Sequence, residues 1–281
     1  MNIEKAGIHK LGGDIDVYRM GYGAMRICGK GIWGRPADKT MAGRLLNEVR
    51  ELGLNLIDTS DAYGPEINEY QIAEHLAPYT GLTIATKGGL ARGGPDIWTT
   101  DGRPEHLTRA VANSLRRLGV EAIDLYQLHA VDDDVPFLDS LGALIREKEK
   151  GNIRHIGLSN VSVDELKTAM DTTEIATVQN RYSVAYRKSE DVLNHCEAHG
   201  VGFIPWYPLE AGSLAKPSGA VGKIATKHGA TASQIALAWL LAKATVMLPI
   251  PGTSSVAHLR ENCAAVEIEL DADDMSLLGS T

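Results

Sequence analysis

Three short runs end on a titratable residue: Leu54-Asn55-Leu56-Ile57-Asp58, Leu82-Thr83-Ile84-Ala85-Thr86-Lys87, and Ile123-Asp124-Leu125-Tyr126-Gln127-Leu128-His129. Each is rich in Leu and Ile and follows a helix-like stretch, so each reads as a strand of a parallel sheet buried on both faces. The carboxyl ends of successive parallel strands share one mouth, where α/β folds keep their chemistry. Asp58, Lys87 and His129 are therefore expected together, with Tyr63 just past the end of the Asp58 strand.

Strand and helix signals alternate outward from these runs. Gly12-Gly13, between Ile8-His9-Lys10-Leu11 and Ile15-Asp16-Val17-Tyr18, predicts a small N-terminal β-hairpin that could close the bottom of a barrel. Residues 18–23 form the first barrel-strand candidate, and helices are expected over 42–52 and 68–76. Residues 88–102, with five glycines and Trp98, read as a long polar loop. Pro104, a favoured residue at a helix start, precedes an apolar face of Leu107, Ala110, Val111, Ser114, Leu115 and Leu118. A helix carrying Leu138, Leu141 and Ile145 follows the Asp132-Asp133-Asp134 run. Further strands are expected over 153–158, 176–180, 202–206 and 246–250, with helices over 164–170, 190–199 and 232–242. Eight strands with intervening helices and no linker predict an α/β chain folded as a single (β/α)8 barrel, one domain over residues 1–281.

Composition narrows the function classes. The net charge of −8 argues against nucleic acid as a partner. Cys28, Cys196 and Cys263 are far apart, with no CxxC and no metal-ligand spacing. They fit structural thiols in a reducing compartment. The acidic run 132–134 reads as a solvated loop, because no matching carboxylate or histidine pattern follows it, so no metal site is expected. No apolar signal core or 18-residue apolar stretch occurs, and the expectation is a cytoplasmic protein without a membrane partner. Neither G-x-G-x-x-G opening an early helix nor G-x-x-x-x-G-K-[ST] is present, so a Rossmann domain or P-loop lacks its signature.

A carboxylate, a lysine, a phenol and an imidazole gathered at one mouth make a proton-transfer site. A free tyrosine titrates near pH 10, too high for an efficient acid near neutrality. A neighbouring ammonium lowers that value, and a buried ammonium needs a carboxylate. Asp58 would support Lys87, Lys87 would tune Tyr63, and His129 would donate to a substrate oxygen. Each residue alone has a structural reading: Asp58 a helix cap, Lys87 a solvated strand end, Tyr63 a loop aromatic, His129 a satisfied core histidine. All four at strand-end spacing favour catalysis.

Asp58-Thr59-Ser60-Asp61-Ala62-Tyr63-Gly64, then Lys87, then Leu128-His129, resembles the aldo-keto reductases. The likeness runs from Gly21-Tyr22-Gly23-Ala24-Met25 through Ile156-Gly157-Leu158-Ser159-Asn160, Gln179-Asn180 and Trp206-Tyr207-Pro208-Leu209 to Ile250-Pro251-Gly252-Thr253-Ser254-Ser255 and Glu261-Asn262. The resemblance implies an NAD(P)H-dependent carbonyl reductase that binds its cofactor without a Rossmann domain. Tyr63 would be the general acid, Lys87 and Asp58 its tuning pair, and His129 the orienting donor. Ser159, Asn160 and Gln179 would hold the nicotinamide carboxamide, and Trp206 would stack on the ring. Gly23, Ala24, Met25, Asp58, Pro208, Leu209, Gly252, Thr253, Ser254, His258, Glu261 and Asn262 complete the implied cofactor site.

Where many members carry a Lys and an Arg for the adenosine 2′-phosphate, this chain has Gly252-Thr253 and His258. Thr253, Ser254, the backbone N–H groups at the helix start near Val256 and Arg260 are the substitutes expected to hold it. A bacterial branch resembling pyridoxal reductases shares the Gly-Thr form, which implies NADPH over NADH and pyridoxal as a substrate. The implied partner is a small carbonyl compound, and the chain is expected to be a monomer or small homo-oligomer. Tyr207 stands where a small residue is usual, which implies a narrower pocket. A short segment after the last helix signal implies an open pocket walled by loops carrying Trp33 and Trp98. Two other readings are a cofactor-binding sensor or scaffold with little turnover, like the potassium-channel β subunits, and an aldolase or isomerase using Lys87 as a Schiff-base amine. The latter leaves Ser159, Asn160, Gln179 and Trp206 unexplained.

Overall fold

A computed structural model of the chain describes residues 2–209 and 219–279. Strands β1 (Ile8–Leu11) and β2 (Ile15–Tyr18) pair antiparallel across Gly12-Gly13, as expected from the hairpin signal. The next elements are β3 (Tyr22–Gly23), α1 (Met41–Glu51), β4 (Leu56–Asp58), α2 (Ile67–Leu76) and β5 (Thr83–Gly88). A second hairpin, β6 (Leu90–Gly94) and β7 (Ile97–Thr100), precedes α3 (Pro104–Leu118), β8 (Ile123–Leu128), α4 (Phe137–Glu149) and β9 (Ile153–Ser159). Then come α5 (Val163–Met170), β10 (Ile175–Arg181), α6 (Glu190–His199) and β11 (Gly202–Trp206). The described remainder holds α7 (Ala220–His228), α8 (Ala232–Lys243), α9 (Val256–Ala264) and α10 (Ala272–Gly279).

Seven strands form one parallel sheet in the order β11-β10-β9-β8-β5-β4-β3. Residues 246–250 close it into a (β/α)8 barrel. Phe203 N–H donates to the Val246 carbonyl and Leu248 N–H to the Phe203 carbonyl, both at 2.8 Å. On the other side Gly21 N–H donates to the Pro249 carbonyl at 2.9 Å. Pro249 and Pro251 lack N–H groups, so this eighth segment cannot extend a regular ladder.

Local signals explain the helices. Pro104 occupies the first turn of α3, and Gly119 ends it in the left-handed region at φ 69. Leu107, Ala110, Val111, Ser114 and Leu118 lie on the buried face. Ser162 and Glu165 cap α5 reciprocally, and Thr231 and Gln234 do the same for α8.

The sheet separates two apolar layers. Tyr22, Ile57, Ile84, Tyr126, Leu128 and Phe203 pack outward against the helices. Leu56, Ala85, Leu125, Ala176, Ile204, Leu248 and Ile250 fill the barrel, with Leu11 and Val17 of the hairpin plugging its lower end. Side chains alternate faces along a strand, so Asp58, Lys87 and Gln127 point inward, one step above Leu56, Ala85 and Leu125. β10 carries a register shift between Ile175 and Thr177, which reconciles inward Ala176 with inward Gln179 three residues later.

Two expectations are corrected. The first barrel strand shortens from 18–23 to Tyr22–Gly23, because Arg19 turns away to the carbonyls of Ala6 and Ala244. Residues 88–102 contain the β6–β7 hairpin. Its ladder pairs Ala91 with Thr99 and Arg92 with Trp98 on a largely exposed surface, so no apolar alternation announces it.

Candidate active site

Inside the mouth, the Lys87 ammonium donates to Asp58 Oδ1 at 2.6 Å, to the Thr59 carbonyl at 2.8 Å and to the Tyr63 phenol oxygen at 3.4 Å. Lys87 is wholly buried and Asp58 nearly so. The other Asp58 oxygen accepts from Gln179 Nε2 at 2.8 Å and Gln127 Nε2 at 3.2 Å. A buried charge needs this degree of saturation. Sequence reasoning missed Gln127. It has no charge to draw attention, but its parity with Leu125 marks it as inward.

Burial acts on each titratable group. It would discharge Lys87, yet the Asp58 carboxylate and Tyr63 more than offset it and hold the ammonium above its ordinary value. It moves the Tyr63 phenol upward, and Lys87 only partly opposes this. That corrects the expected sign, since the ammonium reduces a rise rather than producing a net fall. Burial and the nearby Lys87 charge hold His129 well below the usual imidazole range, so the ring is neutral at pH 7. The Tyr63 ring meets His129 edge-on at 5.9 Å between centroids and Trp98 at 6.3 Å.

Asp58, Tyr63 and His129 form the floor of a cleft of about 730 Å³, while Lys87 and Gln127 are wholly buried and do not line it. Gly23, Met25, Asp58, Tyr63, Trp98, His129, Ser159, Asn160, Gln179, Trp206, Pro208, Leu209, Gly252 and His258 all line it. Tyr207, expected to narrow the pocket, lines it, and so do Arg26, Leu90, Ser233, Ile250 and Pro251, none of them expected to bind. Trp33 does not: it sits outside, 37% exposed, with the Arg92 guanidinium over its ring. Arg92 lies 3.6 Å from the Trp98 ring centroid and donates to the carbonyls of Gly31, Ile32, Ala62, Gly94 and Ile97. That fork fastens the β6–β7 hairpin over the cleft.

The model of the Aldo/keto reductase family matches residues 19–280. The chain belongs to that family. It is 48% identical over 273 residues to an uncharacterized oxidoreductase of Schizosaccharomyces pombe, covering 97% of this chain and 89% of the relative. It is 40% identical over 273 residues to pyridoxine 4-dehydrogenase of Escherichia coli, covering 95% of each. A thermostable aldo-keto reductase solved with the inhibitor epalrestat superimposes with a TM-score of 0.84 at 31% identity, covering 97% of this chain and 98% of that one. An aldo-keto reductase from Klebsiella pneumoniae, solved with NADPH, gives 0.81 at 26%, covering 97% and 94%. This chain is therefore an oxidoreductase of a family that uses nicotinamide cofactors.

In this aldo/keto reductase a polar wall runs from Asp58 through Gln179 and Ser159 to Asn160. The Ser159 hydroxyl donates to the Gln179 carbonyl at 2.8 Å. Asn160 takes φ 59, a left-handed conformation Asn tolerates, and donates to the His129 carbonyl at 2.9 Å. Its Oδ1 accepts from the Trp206 indole at 2.9 Å, fixing the ring. Gln179 directs its amide N–H groups at Asp58 and Gln127, and among the described residues no donor reaches its Oε1. The open Gln179 Oε1 can accept from the N–H of a carboxamide, so this wall fits a nicotinamide amide.

The expected adenosine end is less uniform. Thr253 is buried, its carbonyl accepting from the Tyr22 hydroxyl. Ser255 caps α9 by accepting from His258 N–H. Glu261 instead accepts from Thr231, and Asn262 is buried on α9; neither lines the cleft, nor do Ala24 and Ser254. Arg260, expected at the phosphate, is forked onto Glu48 at 2.7 and 2.9 Å. Among the described residues no group of three or more His, Cys, Asp or Glu could hold a metal ion, and no helix is long and apolar enough to cross a membrane.

Proposed function

We propose that this chain reduces an aldehyde or ketone to an alcohol with NADPH, residues 1–281 acting as one domain and Tyr63 delivering the proton. The observation that carries this reading is the buried Lys87 ammonium held between two residues of the cleft floor, Asp58 at 2.6 Å and Tyr63 at 3.4 Å. Bound nicotinamide would supply the hydride, which leaves negative charge on the carbonyl oxygen. An alkoxide is more basic than a phenolate, so Tyr63 is a competent acid for it even with its pKa raised by burial. A phenol that stays protonated at neutral pH is also always loaded for this step. Neutral His129 can offer one N–H to the same oxygen, and preorganised donors at a developing oxyanion are a large catalytic term. Asp58, saturated by Lys87, Gln127 and Gln179, fixes the ammonium.

Ser159, Asn160 and Gln179 are our choice to hold the carboxamide, with Trp206 against the ring and Gly23, Met25, Pro208, Leu209, Gly252 and His258 along the rest. Pyridoxal is the first substrate to try, because a relative covering 95% of this chain is named pyridoxine 4-dehydrogenase. The test is NADPH absorbance at 340 nm with pyridoxal and a panel of aldehydes and ketones. Turnover with at least one carbonyl compound is expected. Tight NADPH binding with no turnover across the panel would replace this reading with a cofactor-binding sensor.

A further inference from the structure

Ser60 lies between two groups that compete for its single proton. Its Oγ is 3.1 Å from His129 Nδ1 and 3.2 Å from Asp61 Oδ1, while the Ala62 N–H donates to it at 3.1 Å. The Lys87 carbonyl is a more distant acceptor at 3.4 Å. A neutral imidazole carries one N–H and one bare nitrogen, and the partner of one nitrogen decides the state of the other. If Ser60 donates to Nδ1, the His129 proton sits on Nε2. If Ser60 donates to Asp61, its oxygen faces Nδ1 as an acceptor and favours the Nδ1–H form, in which Nε2 can only accept.

We propose that Ser60 is a positioning residue that holds neutral His129 with its proton on Nε2, and that an ionised Asp61 competes for the same hydroxyl. This rests on reading His129 as a donor to the substrate oxygen. Asp61 is half-buried, and burial and the Glu69 carboxylate on α2 push its carboxyl up to about 8, against Arg117 on α3, the Ser60 hydroxyl and the Ala62 N–H. Tyr126 on β8 faces the same cluster, and Lys87 on β5 faces His129. Below that value a protonated Asp61 leaves the Ser60 proton to His129. Above it, the carboxylate draws that proton away and the donor to substrate is lost.

The test is nitrogen-15 NMR of the imidazole rings in the whole protein with NADPH, the His129 signals being assigned by their loss in His129→Gln. At pH 7 the Nε2–H tautomer is expected in the wild type, shifting toward Nδ1–H by pH 9. Asp61→Asn should keep the Nε2–H form throughout. Ser60→Ala should lose the Nε2–H preference and, with a carbonyl substrate, lower kcat about a hundredfold, the order seen when one oxyanion donor is removed. Its NADPH affinity should be unchanged, and Ser60→Thr should restore the tautomer. An Nδ1–H wild type, or a Ser60→Ala ring with unaltered tautomer, overturns the proposal. The NMR result stands whether or not the carbonyl panel shows turnover.

Discussion

Arg260 and Glu48 form a two-point ion pair, Nε to Oε1 at 2.7 Å and a terminal nitrogen to Oε2 at 2.9 Å. The pair ties α9 to α1, and Arg260 does not line the cleft. The exposed Arg26 is the better-placed cation. It lines the cleft, makes no hydrogen bond or ion pair with a described residue, and has its Cγ 3.6 Å from where a Cβ on Gly252 would stand. NADPH is therefore expected to bind more tightly than NADH, by roughly ten- to a hundredfold, since one charge-assisted bond contributes about 1.5–3 kcal/mol. Dissociation constants from tryptophan quenching check this. Arg26→Ala should weaken NADPH more than NADH, and Arg260→Ala should leave the ratio unchanged. Equal affinities in the wild type would contradict the assignment.

Arg92 should govern substrate access without touching hydride chemistry. Its five carbonyl partners and the Trp98 face fix the β6–β7 hairpin. Arg92→Ala should raise KM for carbonyl substrates about tenfold or more, with NADPH affinity unchanged. Arg92→Lys should recover little, because a point ammonium cannot reproduce a planar fork that also stacks. An unaltered KM in Arg92→Ala would mean that the hairpin holds its place by other contacts.

How far the sequence carries to the structure varies by element. Asp58, Lys87 and His129 were legible because each closes a short apolar run, and the parallel-strand rule then sets them at one mouth. Gln127 sits inside such a run and was hidden by its neighbours. Arg92 was hidden differently: it belongs to a glycine-rich stretch whose exposed ladder leaves no hydrophobic period. The Arg260–Glu48 pair joins residues 212 apart in the chain, a contact no local pattern encodes. The sign of the Tyr63 shift also needed three dimensions, because the balance between burial and the ammonium depends on depth.

Acid should destabilise the fold beginning near pH 6.5. Burial, aided by Lys87, holds folded His129 well below its ordinary value, while the unfolded chain titrates near 6.5. As pH falls through 6.5 the unfolded state takes up a proton the folded state refuses, so stability falls until the folded value is reached. The slope is at most about 1.4 kcal/mol per pH unit for one such group. His9 and His106, also lowered by burial, act in the same direction. Urea unfolding at pH 7.5 and 5.5 should show lower stability at the acid value. The difference should shrink in His129→Asn. An equal difference in the variant would mean His129 is not the buried neutral group described.

We assign to Tyr63 the proton delivered in carbonyl reduction. The most direct measurement is the single-turnover rate of NADPH oxidation at 340 nm, comparing Tyr63→Phe with the wild type on the best carbonyl substrate. The cleft floor predicts a loss of about 10²–10⁴-fold, the range for general acid catalysis, with NADPH affinity within a few-fold of wild type. A Tyr63→Phe rate close to wild type would contradict it.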